Sequence, residues 1–204
     1  MLAPRTVDLT PTDDVWVYPH ATDPGMDPNL RVWGISGDAV AQDPSEADNF
    51  SYAYLKWDAS MLPKDAKLKE ATLTVTHVAE PNFTLDVAKH FPLQARPVSS
   101  NFDEKTWSYG DSIKIAPEKL KTSIFGEGIP TSIPASGTFP ITVDLMKGPN
   151  DFAKYLASSK GSFGLALTSA MDPSAEDHAM NYKFYSRNDE NGARRPVLHL
   201  VFDE

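Results

Sequence analysis

The sequence lacks cysteine, long apolar runs and an excess of basic residues. Without Cys in 204 residues, disulfide bonds, Cys-ligated zinc, iron–sulfur clusters and thiol nucleophiles are all excluded. No apolar stretch approaches the ~18 residues that a membrane-spanning helix needs. The 19 Lys and Arg residues are outnumbered by 28 Asp and Glu residues, which gives a net charge of −9. Arg194 and Arg195 are the only Lys or Arg residues that are adjacent in the sequence. Because nucleic acid is normally bound by a basic patch, this pattern argues against a nucleic-acid partner, and no polybasic or lipidation signal indicates membrane insertion.

Apolar residues instead recur with a period of two, which is typical of β-strands. Residues 51–58 alternate in this way, and residues 71–78 do so more strictly, with a Thr ladder on the second face. Further strands are predicted at Val15–Tyr18, Leu30–Trp33, Leu85–His90, Phe139–Leu145, Phe163–Thr168, Tyr182–Ser186 and Pro196–Phe202. The inward positions predict a core of Leu55, Trp57, Leu73, Val75, Ile141, Val143, Leu165, Leu167, Leu198 and Leu200.

Only two short helical segments are predicted. Asn150 is a good N-cap for Asp151–Ser158, and Pro117–Thr122 can form one further turn. Three segments rich in Pro, Gly, Asp and Ser predict loops, at Asp23–Gly37, Asp38–Asn49 and Gly126–Gly137. About nine strands with so little helix predict an all-β fold, a single antiparallel β-sandwich domain over residues 1–204.

Motifs for catalysis are weak in this chain. Residues 110–113 read Gly-Asp-Ser-Ile, like the nucleophile segment of GDSL-type esterases, but they lie mid-chain in an all-β context. The candidate partner Asp177 directly precedes His178, whereas that family spaces the two by an Asp-x-x-His motif. The five His residues show no metal-binding spacing, and His77 and His199 continue strands. We therefore predict no catalytic residue and no enzyme activity.

Carboxylates cluster in three predicted loop regions, at Asp13 and Asp14, at Asp23 and Asp27, and at Asp43, Glu46 and Asp48. Carboxylate oxygens are the ligands that Ca²⁺ prefers, although no EF-hand spacing is present. A structural Ca²⁺ therefore stays open as an alternative to solvated acidic loops, and no other cofactor is indicated.

Four groups of segments, in the same order, carry a resemblance to a known family. They are Asp14-Val-Trp-Val17 with Arg31-Val-Trp-Gly34, Tyr52-Ala-Tyr-Leu-Lys-Trp-Asp58 with Leu68–Val75, Phe102-Asp-Glu-Lys-Thr-Trp107, and Phe184-Tyr-Ser-Arg-Asn188 with Arg195-Pro196 and Leu198–Val201. Together they resemble the DNRLRE-type domain, which is related to carbohydrate-binding module family 96. The chain departs from that pattern at Phe102, Met146 and Asn188, where the family has Trp, Thr and Glu.

The resemblance implies a non-catalytic jelly-roll sandwich that binds polysaccharide. Such domains are appended to secreted polysaccharide-degrading enzymes or surface proteins, so we expect an extracellular location and tethering to further domains. Residues 1–5 contain no apolar signal-peptide region, so the signal peptide is expected to lie outside this sequence. Some relatives bind acidic polysaccharides such as alginate, and a chain of net charge −9 can do so only through a local basic groove or bridging cations.

Alternation also predicts where a ligand binds. If Leu55 and Trp57 face the core, their neighbours on the same strand face outward, and so do alternate residues around Phe184. The predicted ligand-binding residues are Tyr52, Tyr54, Lys56, Lys183, Tyr185 and Arg187, with Arg31 and Trp33 walling one end. Tyr rings offer apolar surface to a pyranose, and Arg or Lys can meet a uronate or sulfate. The alternative is that these residues only stabilise the sheet through cross-strand pairs.

Glu104 is predicted to be structural. An Arg fork matches a carboxylate, so we expect Glu104 to pair with an Arg such as Arg187 or Arg195 rather than to act as a general acid.

Three functions from different classes remain in view. The first is a carbohydrate-binding module, the second a structural or adhesive sandwich of a surface protein, and the third a polysaccharide lyase or hydrolase. An exposed aromatic or basic stripe favours the first, and a uniformly polar Thr/Ser sheet favours the second. A deep cleft holding Tyr, His and Arg with shifted pKa values favours the third.

Overall fold

Antiparallel β-strands make up most of the regular structure. A computed structural model describes residues 4–34, 50–63, 66–111, 115–118, 120–172 and 181–203. The strands of this part are Arg5–Leu9 (β1), Asp13–Val17 (β2), Asn29–Gly34 (β3), Phe50–Asp58 (β4), Lys67–Val78 (β5), Leu93–Val98 (β6), Gly126–Gly128 (β7), Thr138–Asp144 (β8), Ser162–Thr168 (β9), Tyr182–Tyr185 (β10) and Val197–Asp203 (β11). Its two α-helices are Leu85–His90 (α1) and Phe152–Ser158 (α2). The predicted all-β class is confirmed.

The strands form one continuous antiparallel sheet that curls. Its order is β1-β11-β5-β10-β3-β4-β9-β6-β7, with β2 paired to β4 and β8 paired to β5. The strand β3 joins the two halves, because its first four residues pair with β10 while Trp33 and Gly34 at its end pair with β4. At the far margin β7 approaches β8, where a Cβ on Gly126 would lie 2.0 Å from the carbonyl oxygen of Asp144. Only glycine permits this close approach.

The main core contains the inward residues of both halves of the sheet. All ten residues that alternation assigns to the core lie in this cluster, and none exposes more than 1% of its surface. The predicted core is therefore confirmed, because strict period-two alternation specifies which side chains share a face.

A second apolar cluster lies on the opposite side of β2, β4, β9 and β6. We call it the outer cluster, and it consists of Val15, Val17, Phe50, Tyr52, Tyr54, Val98, Phe102 and Ala166. Trp107, Tyr109 and Ile115, from the chain between β6 and β7, pack against it. The strand β4 is thus buried on both faces.

The helices differ from the sequence prediction in two places. Residues 85–90, predicted as a strand, form α1, because the Thr84 hydroxyl accepts a hydrogen bond from the Val87 N–H at 3.3 Å and caps the helix. Asp86 in its first turn and Lys89 in its last also complement the helix dipole. The helix α2 begins one residue later than predicted, with Asp151 as its N-cap. No helix in the described residues is both long and apolar enough to span a membrane.

Three strands were not predicted. These are β1, β6 and β7, and β7 lies inside a predicted loop. The strand β6 contains Pro97, which normally argues against a strand. Its neighbour β7 pairs only with Leu93–Ala95, so the edge of β6 at Pro97 is unpaired and the missing N–H is tolerated. The helical turn predicted at Pro117–Thr122 lies at Lys121–Ser123, and the predicted loop residues 35–49 lie outside the described residues.

Candidate functional site

Tyr52 and Tyr54 do not lie on the surface. They occupy the face of β4 opposite Leu55 and Trp57, as alternation requires, but they expose only 2% and 0% of their surface. The prediction that they face a ligand is therefore wrong. Alternation specifies the face on which a side chain lies and says nothing of what covers that face.

The cover over Tyr54 is the segment that follows β6. The ring of Trp107 meets the Tyr54 ring edge-on at a centroid distance of 5.8 Å, and Phe102 lies 6.2 Å from it. Phe102 and Trp107 also pack edge-to-face, 5.8 Å apart. The Tyr54 hydroxyl is buried without a hydrogen-bond partner in the described part of the chain, and burial raises the pKa of Tyr54. Tyr54 therefore serves packing.

Glu104 fastens this cover to the sheet. Its buried carboxylate forms an ion pair with the Arg187 guanidinium and accepts a hydrogen bond from the Asp14 N–H at 3.1 Å. The Arg187 N–H donates in turn to the Asp14 carboxylate at 2.7 Å. The predicted pairing of Glu104 with an Arg is confirmed for Arg187, whereas Arg195 donates to the carbonyl oxygen of Asp189.

Asp14 is fully buried in this network. Burial raises the pKa of Asp14 from 3.8 to about 7, against the lowering effect of the hydrogen bond from Arg187, and the charge of Glu104 raises it further. One carboxylate oxygen, Oδ1, has no hydrogen-bond partner among the described residues. Shifted carboxylates often mark active sites. Asp14 lies beneath packed chain rather than in a cleft, so we interpret it as structural.

Lys183, Tyr185 and Arg31 lie together on the outer face of β3 and β10. Lys183 stands directly opposite Arg31 in the β10–β3 pairing. Each of the three has a partner: Lys183 pairs with Glu80 at 3.7 Å, Arg31 pairs with Asp27 at 3.4 Å, and the Arg194 guanidinium stacks over the Tyr185 ring at 4.3 Å. These contacts fit the alternative in which the outward residues stabilise the sheet.

The other predicted site residues do not join them. Trp33 packs in the main core with 9% of its surface exposed, so little of its ring is available to a ligand. Arg187 forms an ion pair with Glu104, at the cover of the outer cluster. Lys56 is half-buried, with its ammonium 2.9 Å from the Asp13 carboxylate and donating to the Phe102 carbonyl at 2.6 Å. The strands β4 and β10 share a sheet, as the prediction required, but β3 separates them.

Lys56 borders a polar pocket of about 320 Å³, which we call the Trp107 pocket. Its lining residues are Lys56, Ser100, Asn101, Phe102, Asp103, Thr106, Trp107 and Asp111. Trp107 is half-buried and held by Phe102 and Tyr54, while Asn101, Asp103 and Thr106 are exposed. The pocket therefore presents a fixed aromatic ring beside carboxylate, amide and hydroxyl groups.

A second pocket of about 420 Å³ adjoins it through Ser100, which lines both. Five serines contribute to its lining, at positions 99, 100, 158, 159 and 162. We call it the serine pocket. Sequence reasoning missed both pockets, because it gave the segment after β6 a family resemblance and a structural Glu104 but no ligand-binding role. The available signal was a non-strand run of Ser, Asn, Asp and Thr ending at Trp107.

The predicted strand histidines are satisfied by their surroundings. His77 is buried between Phe83 and Phe139, and its Nε2 accepts a hydrogen bond from the Lys183 N–H at 3.0 Å. Burial lowers the pKa of His77 to about 4, so the ring is neutral near pH 7. His199 lies 2.6 Å from the Asp8 carboxylate.

The remaining motifs fall largely outside the described residues. This holds for Ser112 and Ile113 of the esterase-like motif, for Asp177 and His178, and for Asp43, Glu46 and Asp48. Within the described ranges, no group of three or more His, Asp or Glu residues is arranged to hold a metal ion. Two of the remaining acidic residues that were considered as Ca²⁺ ligands are ion-paired instead, Asp13 with Lys56 and Asp27 with Arg31.

No protein-family model matches the chain, and no curated protein matches it. The resemblance to the DNRLRE-type domain stays a prediction.

Proposed function

We propose that this protein is a non-catalytic polysaccharide-binding module of the jelly-roll type, and that its ligand binds in the Trp107 pocket. The observation that carries the proposal is the placing of one fixed indole ring beside exposed carboxylate, amide and hydroxyl groups. Secretion and attachment to further domains also belong to the proposal, and they rest on the resemblance to the DNRLRE-type domain.

The lining of the Trp107 pocket matches the surface of a sugar ring. A pyranose has an apolar face that packs on an aromatic ring and a rim of hydroxyl groups that both donate and accept hydrogen bonds. Edge-to-face contacts with Tyr54 and Phe102 hold Trp107 in place, so little side-chain freedom is lost on binding. Asn101 and Asp103 are exposed at the same opening.

The charges favour a neutral sugar. Asp103 and Asp111 line the Trp107 pocket, and Lys56, the one cation among its described lining residues, is already paired with Asp13. A uronate or sulfate would be repelled by the carboxylate of Asp103, which is exposed at this pocket. The cations that were expected to bind an acidic glycan, Lys183 and Arg187 among them, are likewise paired with carboxylates.

The adjoining serine pocket supports a chain rather than a single sugar as the ligand. Both pockets include Ser100, so two consecutive sugar units have neighbouring polar openings to occupy. Serine hydroxyls serve as both donors and acceptors, as sugar hydroxyls do.

Affinity electrophoresis tests the proposal, with mixed-linkage β-glucan, galactomannan, xylan, alginate or polygalacturonate in the gel. We expect retention by at least one neutral glycan and by neither acidic one. Asp103→Asn keeps the oxygen that accepts a hydrogen bond from the Lys105 N–H at 2.8 Å. It removes the charge that strengthens the proposed hydrogen bond from a sugar hydroxyl, so we expect the affinity for the glycan to fall by about tenfold or more. Trp107→Phe should weaken retention by removing ring area while keeping an aromatic in the outer cluster.

Asp86→Asn is the matched control, because Asp86 is exposed on α1 and the change in charge is the same. Retention that is unchanged in folded Asp103→Asn and Trp107→Phe protein would overturn the Trp107 pocket as the site. Loss in Lys183→Ala and Tyr185→Ala instead would place the site on the outer face of β3 and β10. If no glycan retains the protein, the structural or adhesive function described next is favoured instead.

That second function is a structural or adhesive sandwich, and one observation favours it. The outer face of β5 and β8 carries Thr72, Thr74, Thr76 and Thr142, with the Thr74 and Thr142 hydroxyls 3.0 Å apart. A polar threonine face of this kind was the feature expected of a stacked surface domain. Sedimentation across a wide concentration range tests it, because adhesive packing requires self-association that strengthens with concentration.

A further inference from the structure

A larger cavity, of about 740 Å³, lies at the opposite end of β4 from Tyr52. Its described lining comes from four parts of the chain, namely described residues between β4 and β5, the start of β5, the helix α2 with the turn after it, and the end of β11. Its described lining shares no residue with the Trp107 pocket.

Small residues create this cavity. Five of its lining residues have a methyl group or less as a side chain, at Ala59, Ala66, Ala153, Ala157 and Gly161. Behind them lie Leu68, Leu156 and Phe202, which belong to the main core. A surface hollow of this size with an apolar floor and a few polar groups at its rim is typical of small-molecule sites.

The charge at the cavity is positive. Lys67 and Lys160 line it, and no Asp or Glu is among its described lining residues. Neither ammonium forms an ion pair in the part of the chain that the structure describes, although Asp203, which is paired with Lys69, stands opposite Lys67 in the β11–β5 pairing. Two lysines that have no ion pair among the described residues, beside an apolar floor, complement an anion with an apolar body.

We propose that this cavity binds a medium-chain aliphatic carboxylate. The hydrocarbon chain covers Leu68, Leu156 and Phe202, and the carboxylate lies at the opening between Lys67 and Lys160. The proposal does not rest on the sugar-binding function, because this cavity shares no described lining residue with the Trp107 pocket, although Ser159 lines both this cavity and the serine pocket.

Calorimetric titration of the whole chain with octanoate tests the proposal, with 1-octanol as the uncharged analogue. Ala157→Leu places a larger side chain in the cavity from an exposed helix position, where leucine is well accommodated. Excluding about two methylene groups of the ligand should weaken binding of both octanoate and octanol by about tenfold. Lys160→Gln should weaken octanoate by about fivefold and leave octanol unchanged.

Two controls accompany these variants. Lys89→Gln makes the same change of charge on α1, away from the cavity, and should bind octanoate as the wild type does. Asp103→Asn should also bind it normally, which separates this site from the sugar site. The proposal is overturned if wild-type protein binds no octanoate at millimolar concentration, if Ala157→Leu binds it unchanged, or if Lys89→Gln loses as much affinity as Lys160→Gln.

Discussion

The two faces of β4 are both buried, yet they are held in different ways. Leu55 and Trp57 pack into the main core, against strands whose apolar side chains alternate as strictly as their own. Tyr52 and Tyr54 pack under an irregular segment that the Glu104–Arg187 ion pair and the buried Asp14 fasten in place. The cover over the outer cluster therefore depends on an ion pair and a buried carboxyl group, whereas Leu55 and Trp57 are held by apolar packing.

Removing a large side chain from the main core should give the largest effect. Leu165 is fully buried in β9, so Leu165→Ala loses its transfer free energy and leaves a cavity, at a cost of about 2–5 kcal/mol in the free energy of unfolding. Urea denaturation measures this loss. A cost below about 1 kcal/mol would mean that β9 is not part of a close-packed core.

Breaking the fastening of the outer cluster should cost less. Glu104→Gln keeps the shape and an acceptor for the Asp14 N–H but removes the charge opposite Arg187. The side chain of Arg187 is 32% exposed, so solvent screens the pair, and we expect a loss of about 1–3 kcal/mol. Thermal melting beside the exposed control Glu70→Gln measures it. Wild-type melting of Glu104→Gln together with lost glycan binding would reassign Glu104 to the ligand.

The free energy of unfolding should depend on pH in opposite senses through the buried acid Asp14 and the buried base His77. The folded pKa of Asp14, about 7, lies above its unfolded value of 3.8, so its contribution to stability is complete below pH 3.8 and is lost as the pH rises through 7. The folded pKa of His77, about 4, lies below its unfolded value of 6.5, so its contribution is present above pH 6.5 and is lost as the pH falls through 4. Between pH 4 and 6.5 the two slopes oppose each other.

Substitution of either residue should therefore reveal the slope of the other. Relative to wild type, the stability of Asp14→Asn should rise with pH across this window, by up to about 1.4 kcal/mol per unit. The stability of His77→Gln should fall with pH by a similar amount. Urea denaturation at intervals of half a pH unit measures both slopes, and parallel curves for the three proteins would contradict the assigned burial effects.

The sequence predicts one side of this comparison far better than the other. Period-two alternation is sufficient for residues such as Leu73 and Leu165, because burial of one face requires it. It failed to show that Tyr52 and Tyr54 are buried. The cover over Tyr54 comes from residues about 50 positions away in the chain, and sequence spacing does not report such contacts. Local chemistry also decided α1, where the Thr84 cap outweighed an alternating pattern.

The candidate site was predictable only in pieces. The pairing of Glu104 with an Arg followed from the chemistry of carboxylate and guanidinium groups, whereas the choice of Arg187 over Arg195 did not. The Trp107 pocket did not, because it requires Lys56 of β4 to meet a segment whose path is set by tertiary packing. The larger cavity, beside Lys67 and Lys160, depends likewise on small residues from distant parts of the chain coming together.

Native-state hydrogen exchange of the Leu165→Ala variant tests most directly whether the outer cluster is held separately from the main core. Amides of β5 and β11 exchange through global unfolding, so their protection should fall by the full loss of about 2–5 kcal/mol. The N–H groups of Asp14, Glu104 and Arg187 exchange through opening of the cover alone, and they should keep their wild-type rates. Equal acceleration at both sets of amides would show that the two faces of β4 open together, and would contradict the account.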